Sequence, residues 1–265
     1  MNDNLKEVKE FIKENGIEKE AVNLLEKDKN IKVANQANQV KAKRGIIGMP
    51  HTGTFPHQTT MSLTGLIRPL NTVVMNHMIG SCIIYDARDQ IIKFAEDNNA
   101  DWVLFVDSDM VLPNDALIKF EAMTLQDKKL DIVSGMCFKR IPPYQPCFYT
   151  KARINAETKK PMLETPIDFP EKGLLEVEGM GMACTFIRKE AWRKVKEKTG
   201  HWFFPFPGIG EDLSFCIRAR MAGIKMYVDL SVDVGHVSQF VVYKNTFYKA
   251  RDEHIKSKST ASLFT

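Results

Sequence analysis

The segment Asp101-Trp-Val-Leu-Phe-Val-Asp107-Ser108-Asp109 is a run of five apolar residues ending on two carboxylates spaced i and i+2. Apolar at every position, the run fits a strand covered on both faces, which occurs where helices flank a largely parallel sheet. In such sheets ligands sit at the carboxyl ends of the strands. Asp107 and Asp109 therefore fall where a cation can meet a phosphate, although Asp is also common in turns and helix caps.

The flanking pattern alternates in the same sense. Gly45 to Met49 reads as a strand, Gln58 to Ile67 as a helix and Asn71 to Asn76 as a second strand. Ile84, Ala87, Ile91 and Phe94 share one face of a helix ending near Asn98-Asn99. After Asp109 the pattern predicts an immediate helix with Pro113 in its first turn, then a strand from Asp131 to Met136. Prolines 142, 143, 146, 161, 166 and 170 predict loops and short antiparallel strands up to Glu171. Helices follow over Arg188 to Lys198 and Glu211 to Ala222, then a strand from Ile224 to Val228 and a helical stretch from about Gln239. The last ten residues, rich in Ser, Thr and Lys, are expected to lack fixed structure. The fold class is α/β, a mainly parallel sheet flanked by helices.

Three parts are expected: a helical extension and linker over 1–43, a main domain over 44–243, and a helix with flexible tail over 244–265. Within the first, residues 4–28 form two amphipathic segments broken at Asn15-Gly16. Packing on the main domain, contact with a substrate and homo-oligomerisation through these helices all remain open.

Composition narrows the classes. With 44% hydrophobic and 26% charged residues the 265-residue chain can build a core, and collagen-like or wholly disordered classes are excluded. No apolar stretch approaches the roughly 20 residues of a membrane span, and Met-Asn-Asp-Asn-Leu-Lys-Glu is no secretory start, so a cytoplasmic location is expected. Five cysteines with no C-x-x-C pair argue against a disulfide framework or zinc site. A net charge of +4 does not mark a dedicated nucleic-acid binder, although Lys139 to Lys160 is locally basic. That segment fits either an anionic acceptor or a solvated loop.

Two further motifs carry chemistry. Gly208-Ile-Gly210-Glu211-Asp212 places adjacent carboxylates at a helix start, which suits the helix dipole and equally a base facing a cleft. Val232-Asp-Val-Gly235-His236 ends an apolar strand on a histidine. No G-x-x-x-x-G-K-[ST], H-E-x-x-H or G-x-S-x-G is present, and Cys184 stands where a dinucleotide fingerprint beginning at Gly179 needs glycine.

Taken in order, Asp107-Ser108-Asp109, Gly210-Glu211-Asp212 and Gly235-His236 resemble the nucleotide-sugar-dependent glycosyltransferases of the GT-A (Rossmann-like) fold, especially the family-2-like group with its phage and bacterial members. The resemblance covers about Arg44 to Ser238. It implies a metal-dependent transferase of the inverting kind that moves a hexose from a nucleotide diphosphate, UDP before GDP, to an acceptor hydroxyl. Asp109 and His236 then resemble the ligands of Mn2+ (or Mg2+), and Asp107 the carboxylate that contacts the ribose or the metal. Asp212 resembles the general base, with Glu211 positioning acceptor or sugar. Pro50, His51 and Thr52 match the loop around the nucleotide base, and Ser108 lies within the same Asp-x-Asp turn. Arg88 matches a residue approaching the nucleotide, a surface ion pair being its other reading. Gly181 matches a glycine beside the transferred sugar. His201-Trp202-Phe203-Phe204 fits acceptor stacking or plain core packing. Glycan, protein, lipid-linked and modified-DNA hydroxyls all remain open as acceptors. A sugar nucleotidyltransferase and a non-catalytic nucleotide-sugar or nucleic-acid binding protein are the alternatives.

Overall fold

The computed structural model describes residues 42–261 apart from 82, 156, 158–160 and 239–240, and apart from the side chains of 254 and 257–261. The helices expected within 4–28 lie outside the described residues.

Strand β1 (Lys43–His51) pairs in parallel with β2 (Thr72–Gly80) and with β3 (Trp102–Val106). On the other side of β3 lies β11 (Cys184–Arg188), antiparallel to it and to β5 (Ile132–Met136). β12 (Met226–Asp233) continues the sheet parallel to β5, and β9 (Leu174–Val177) closes it antiparallel to β12. The order is β2-β1-β3-β11-β5-β12-β9, so five strands share a direction and β11 and β9 oppose them. The sheet is thus mixed and mainly parallel.

Both faces of the sheet are covered, as the unbroken apolar pattern of β3 requires. Val103 and Phe105 pack into one layer with Ile91 and Ile92 of helix α2 (Ile84–Asp97), Trp192 of α4 (Lys189–Thr199) and Phe215 of α5 (Glu211–Met221). Trp102, Leu104 and Val106 point the other way, against Leu63 of α1 (His57–Thr64) and Leu117 and Phe120 of α3 (Ala116–Gln126). All five residues of β3 are 2% exposed or less. At about 25 cal/mol per Å2 of apolar surface, such side chains each stabilise the fold by roughly 1.5–3 kcal/mol.

Several boundaries differ from the sequence pattern. Asp107-Ser108-Asp109 does not lead straight into a helix: Met110–Val111 forms β4 and α3 starts only at Ala116, leaving Pro113 ahead of it. The cause is a second, small sheet in which β4 pairs with β13 (Gly235–Val237), itself paired with β14 (Val241–Val242). His236 accordingly sits in that sheet and not at the end of β12. The last helix, α6, begins at Lys244 and runs to Ala261, so 256–261 continue a helix where irregular chain was expected. The proline-rich region holds short strands, as expected: β6 (Phe148–Tyr149) pairs with β10 (Gly179–Met180), and β7 (Lys151–Ile154) with β8 (Pro161–Glu164). Among the described residues no helix is long and apolar enough to cross a membrane.

Candidate active site

Parallel pairing sets the floor of the site. β1 and β3 are in register with Gly48 opposite Phe105, so two residues further on Pro50 comes level with Asp107. The turn at His51-Thr52 and the Asp107-Ser108-Asp109 segment thus leave the same edge of the sheet. The cleft there, about 410 Å3 in volume, is lined by Pro50, His51, Thr52, Arg88, Asp107, Ser108, Asp109, Gly181, Glu211, Asp212 and His236. Each of these eleven was singled out in the sequence, and the fold brings them to one place. Ser81, Ile84, Cys147 and Tyr149 also line it and carry no motif that marks them.

Arg88 organises one wall. It is 3% exposed, so the surface ion pair considered for it is ruled out. A buried guanidinium requires anionic partners, and it finds two: Nη2 donates to Asp107 Oδ1 at 2.8 Å and Nε to Glu211 Oε1 at 3.3 Å. Its guanidinium carbon also lies 5.6 Å and 6.0 Å from the Phe105 and Phe203 ring centres. Burial lowers the Arg88 pKa, but Asp107, Glu211 and Asp212 outweigh it and hold the group above its usual range.

Asp212 is placed differently. Its carboxylate accepts a hydrogen bond from the Leu213 amide at 2.7 Å but makes no ion pair of its own among the described residues. Burial and the neighbouring Glu211 charge push the Asp212 carboxyl up to about 6. The turn that delivers it depends on glycine: Gly208 has φ 75°, a left-handed conformation that L side chains rarely adopt. At Gly210 a Cβ would stand 3.0 Å from Asp212 Oδ1. Gly181 lines the same cleft, and its amide donates a hydrogen bond to the Cys147 carbonyl at 2.8 Å. A Cβ at 181 would reach within 3.8 Å of Asp212 Oδ2.

The opposite wall comes from the small sheet. Pairing of Met110 with His236, one residue beyond Asp109, brings His236 Nε2 to 3.2 Å from Asp109 Oδ2. His236 Nδ1 lies 2.7 Å from the Phe138 carbonyl, which makes Nδ1 the donor and turns Nε2 toward Asp109. Arg140 Nη1 donates to the same Asp109 oxygen at 2.9 Å. Burial raises the Asp109 carboxyl, yet His236 and Arg140 outweigh it and hold it below its ordinary value. Burial likewise lowers the His236 pKa, and the bonds to Asp109 and the Phe138 carbonyl more than reverse this.

These donors can be tested against a cation. Two ligands at adjacent corners of an octahedron with bonds of about 2.1 Å stand about 3 Å apart, close to the 3.2 Å between Asp109 Oδ2 and His236 Nε2. An imidazole oriented by a backbone carbonyl is also the usual form of a metal-ligating histidine. Asp109 and His236 therefore fit. Asp107, expected as a third ligand, is instead engaged by Arg88, and among the described residues no three His, Cys, Asp or Glu side chains are grouped to hold a metal. Two protein ligands suffice only where water and phosphate supply the rest, as is common for Mg2+.

The remaining sequence candidates separate by burial. Trp202 and Phe203 are core, 3% and 0% exposed, while Phe204 is exposed and meets Tyr85 edge-on at 5.6 Å. Asp89, one residue from Arg88, accepts the Phe203 amide at 3.0 Å and so fixes this aromatic segment. The four cysteines described, 137, 147, 184 and 216, are free thiols.

A family model described as glycosyltransferase like family 2 matches residues 70–250. Among solved structures the chain is similar to "A197 from STIV", with 19% identity over 74% of this chain and 86% of that chain and a TM-score of 0.49. No curated protein matches it.

Proposed function

Because the chain belongs to glycosyltransferase-like family 2, we propose that its cleft binds a nucleotide-diphosphate sugar, most simply a UDP-sugar, and moves the sugar to an acceptor hydroxyl. The mixed, mainly parallel sheet with helices on both faces is the GT-A arrangement. The observation that carries the reading is Asp212, a carboxylate without an ion pair among the described residues and raised to about 6, in the same cleft as the Asp109–His236 pair. A base with its pKa near the working pH combines ionisation with basicity.

In this scheme Pro50, His51 and Thr52 take the nucleotide base. His51 Nδ1 accepts the Gly53 amide at 3.1 Å, which leaves Nε2 as the donor of that ring. Asp107, held still by Arg88, accepts from the ribose hydroxyls, with Ser108 beside it. Asp109 and His236 would hold Mn2+ or Mg2+, the imidazole favouring Mn2+; when bound, the cation offsets the negative charge that develops on the departing diphosphate. Asp212 removes the acceptor proton as that oxygen bonds to the anomeric carbon and the bond to the diphosphate oxygen breaks. A single displacement of this kind inverts the anomeric centre. Glu211, tied to Arg88, orients rather than deprotonates, and the absent side chain at Gly181 leaves room for the sugar beside Asp212. Glycan, protein, lipid-linked and modified-DNA hydroxyls all satisfy the acceptor role.

Thermal melting with UDP, GDP and CMP, each with and without Mn2+, tests the reading in the native chain and in Asp109→Ala. A ligand at 100 times its Kd adds about 2.7 kcal/mol. The expected result is a rise in midpoint with one nucleoside diphosphate that requires Mn2+ and disappears in Asp109→Ala. No response to any nucleotide, or pyrophosphate release from a nucleoside triphosphate and a sugar phosphate, would overturn it.

A further inference from the structure

The chain between β5 and β6 folds back as a narrow hairpin. Phe138 bridges Pro146, and amides of Lys139 and Cys147 donate to the Gln145 and Cys137 carbonyls at 2.8 Å and 2.9 Å. The stem is anchored: Phe138 is fully buried and its carbonyl is the group that orients His236. Beyond the stem the tip stands in solvent, with Ile141 67% exposed. Arg140 projects from this tip, 57% exposed, and returns its guanidinium to Asp109 Oδ2. Two cationic or cation-binding groups, Arg140 Nη1 at 2.9 Å and His236 Nε2 at 3.2 Å, thus converge on a single carboxylate oxygen.

A surface ion pair contributes little net stability, because a long side chain must be ordered and water screens the charges. Such a contact yields readily to a competitor of higher charge. A divalent cation bound to Asp109 and His236 is that competitor. Once displaced, a planar guanidinium on a short tethered tip would lie beside Asp109 in the cleft that would take the diphosphate, and its fork suits phosphate oxygens. Arg188 and Arg153, by contrast, pair with Asp131 and Glu178, neither of which lines the cleft.

We propose that Arg140 is an exchangeable placeholder for the cation: it neutralises Asp109 while the site awaits its ligands, and transfers to the diphosphate when cation and nucleotide enter together. This deepens the nucleotide-sugar reading of the cleft and rests on it. The consequence is that Mn2+ alone binds weakly and Mn2+ with nucleoside diphosphate binds well, since only the second releases Arg140 to a new anionic partner. Removing Arg140 should therefore move two affinities in opposite directions, which a residue that merely supports the fold does not do.

The experiment measures Mn2+ binding by electron paramagnetic resonance, and UDP and GDP binding at saturating Mn2+ by calorimetry, in the native chain, Arg140→Gln, Arg140→Lys and Asp109→Asn. At 57% exposure the Arg140 side chain can be replaced without opening the core, and the thermal midpoint verifies that it has not. The expected result for Arg140→Gln is Mn2+ binding tightened about three- to five-fold, the size of one surface ion pair, and nucleoside diphosphate binding weakened about ten-fold, as for a lost charge-assisted bond. Arg140→Lys should restore most of the competition with Mn2+ and only part of the nucleotide affinity. Native binding of both ligands with neither affinity altered in Arg140→Gln, or with both weakened, would overturn the placeholder role and leave the donor-site reading standing. A native chain that binds neither Mn2+ nor either nucleotide, or Mn2+ binding unchanged in Asp109→Asn, would overturn the donor-site reading and the placeholder with it.

Discussion

Arg88 Nε donates to Glu211 Oε1 at 3.3 Å across 123 residues of chain, and among the described residues no corresponding ion pair reaches Asp212 next door. Two adjacent carboxylates at one helix start are thereby given different chemistry. Glu211 is held in place by the buried Arg88, whereas Asp212 is raised to about 6 and can exchange a proton.

The substitution Asp212→Asn is accordingly expected to lower kcat by about 10²- to 10⁴-fold, the usual contribution of general-base catalysis, with nucleotide affinity unchanged. Steady-state transfer and calorimetry on the same preparation check this. Equal losses from Glu211→Gln and Asp212→Asn would contradict the division of roles.

The same carboxylate sets a pH dependence. Its folded pKa of about 6 exceeds the ordinary value of 3.8, so between those values the folded chain holds more protons than the unfolded one and stability falls as pH rises. Above pH about 6 the charge is buried at a cost, and Asp212→Asn should be more stable than native by up to about 3 kcal/mol. Below pH about 4 the difference should vanish. Denaturant midpoints at pH 4 and pH 7.5 read this directly, while native kcat/KM should climb as pH rises through about 6.

Arg88→Met leaves Asp107 and Glu211 facing one another without their shared cation. Losing one partner of a buried charge pair costs about 3 kcal/mol or more. Urea unfolding should show that loss before any activity is measured, and Arg88→Lys should recover only part of it because an ammonium cannot fork between two carboxylates.

Gly235→Ala tests the small sheet. A Cβ at 235 would stand 2.5 Å from Val241 Cγ1 and 2.8 Å from Tyr243 Cε1, too close to accept without moving β13. The expected outcome is a destabilisation of about 1–3 kcal/mol together with weakened Mn2+ binding, although no donor atom has changed. Intact Mn2+ affinity would show that His236 is placed by something other than β13.

Much of this was legible in the amino-acid order. The unbroken apolar run of Trp102 to Val106 specifies a strand covered on both faces, and it is one. The carboxylate pair at Glu211-Asp212 begins a helix, as the glycine turn and the dipole preference require. β11 was harder to read. Gly179 to Ile187 is apolar but for Thr185, a pattern that periodicity cannot divide between buried strand and buried helix, and the antiparallel insertion of β11 between β3 and β5 depends on partners far away.

The sequence by itself determined which residues reach the ends of the strands and the starts of the helices that border this cleft, because local patterning fixes those ends and starts. Only the tertiary structure decided which of those residues meet. Asp109 meets His236 through a β4–β13 pairing across 127 residues, Asp107 is diverted to a buried Arg88, and Arg140 reaches in from a hairpin tip. Hydrogen-bond register between distant strands and the demand of a buried charge for partners are non-local, and neither leaves a trace in the spacing of residues along the chain.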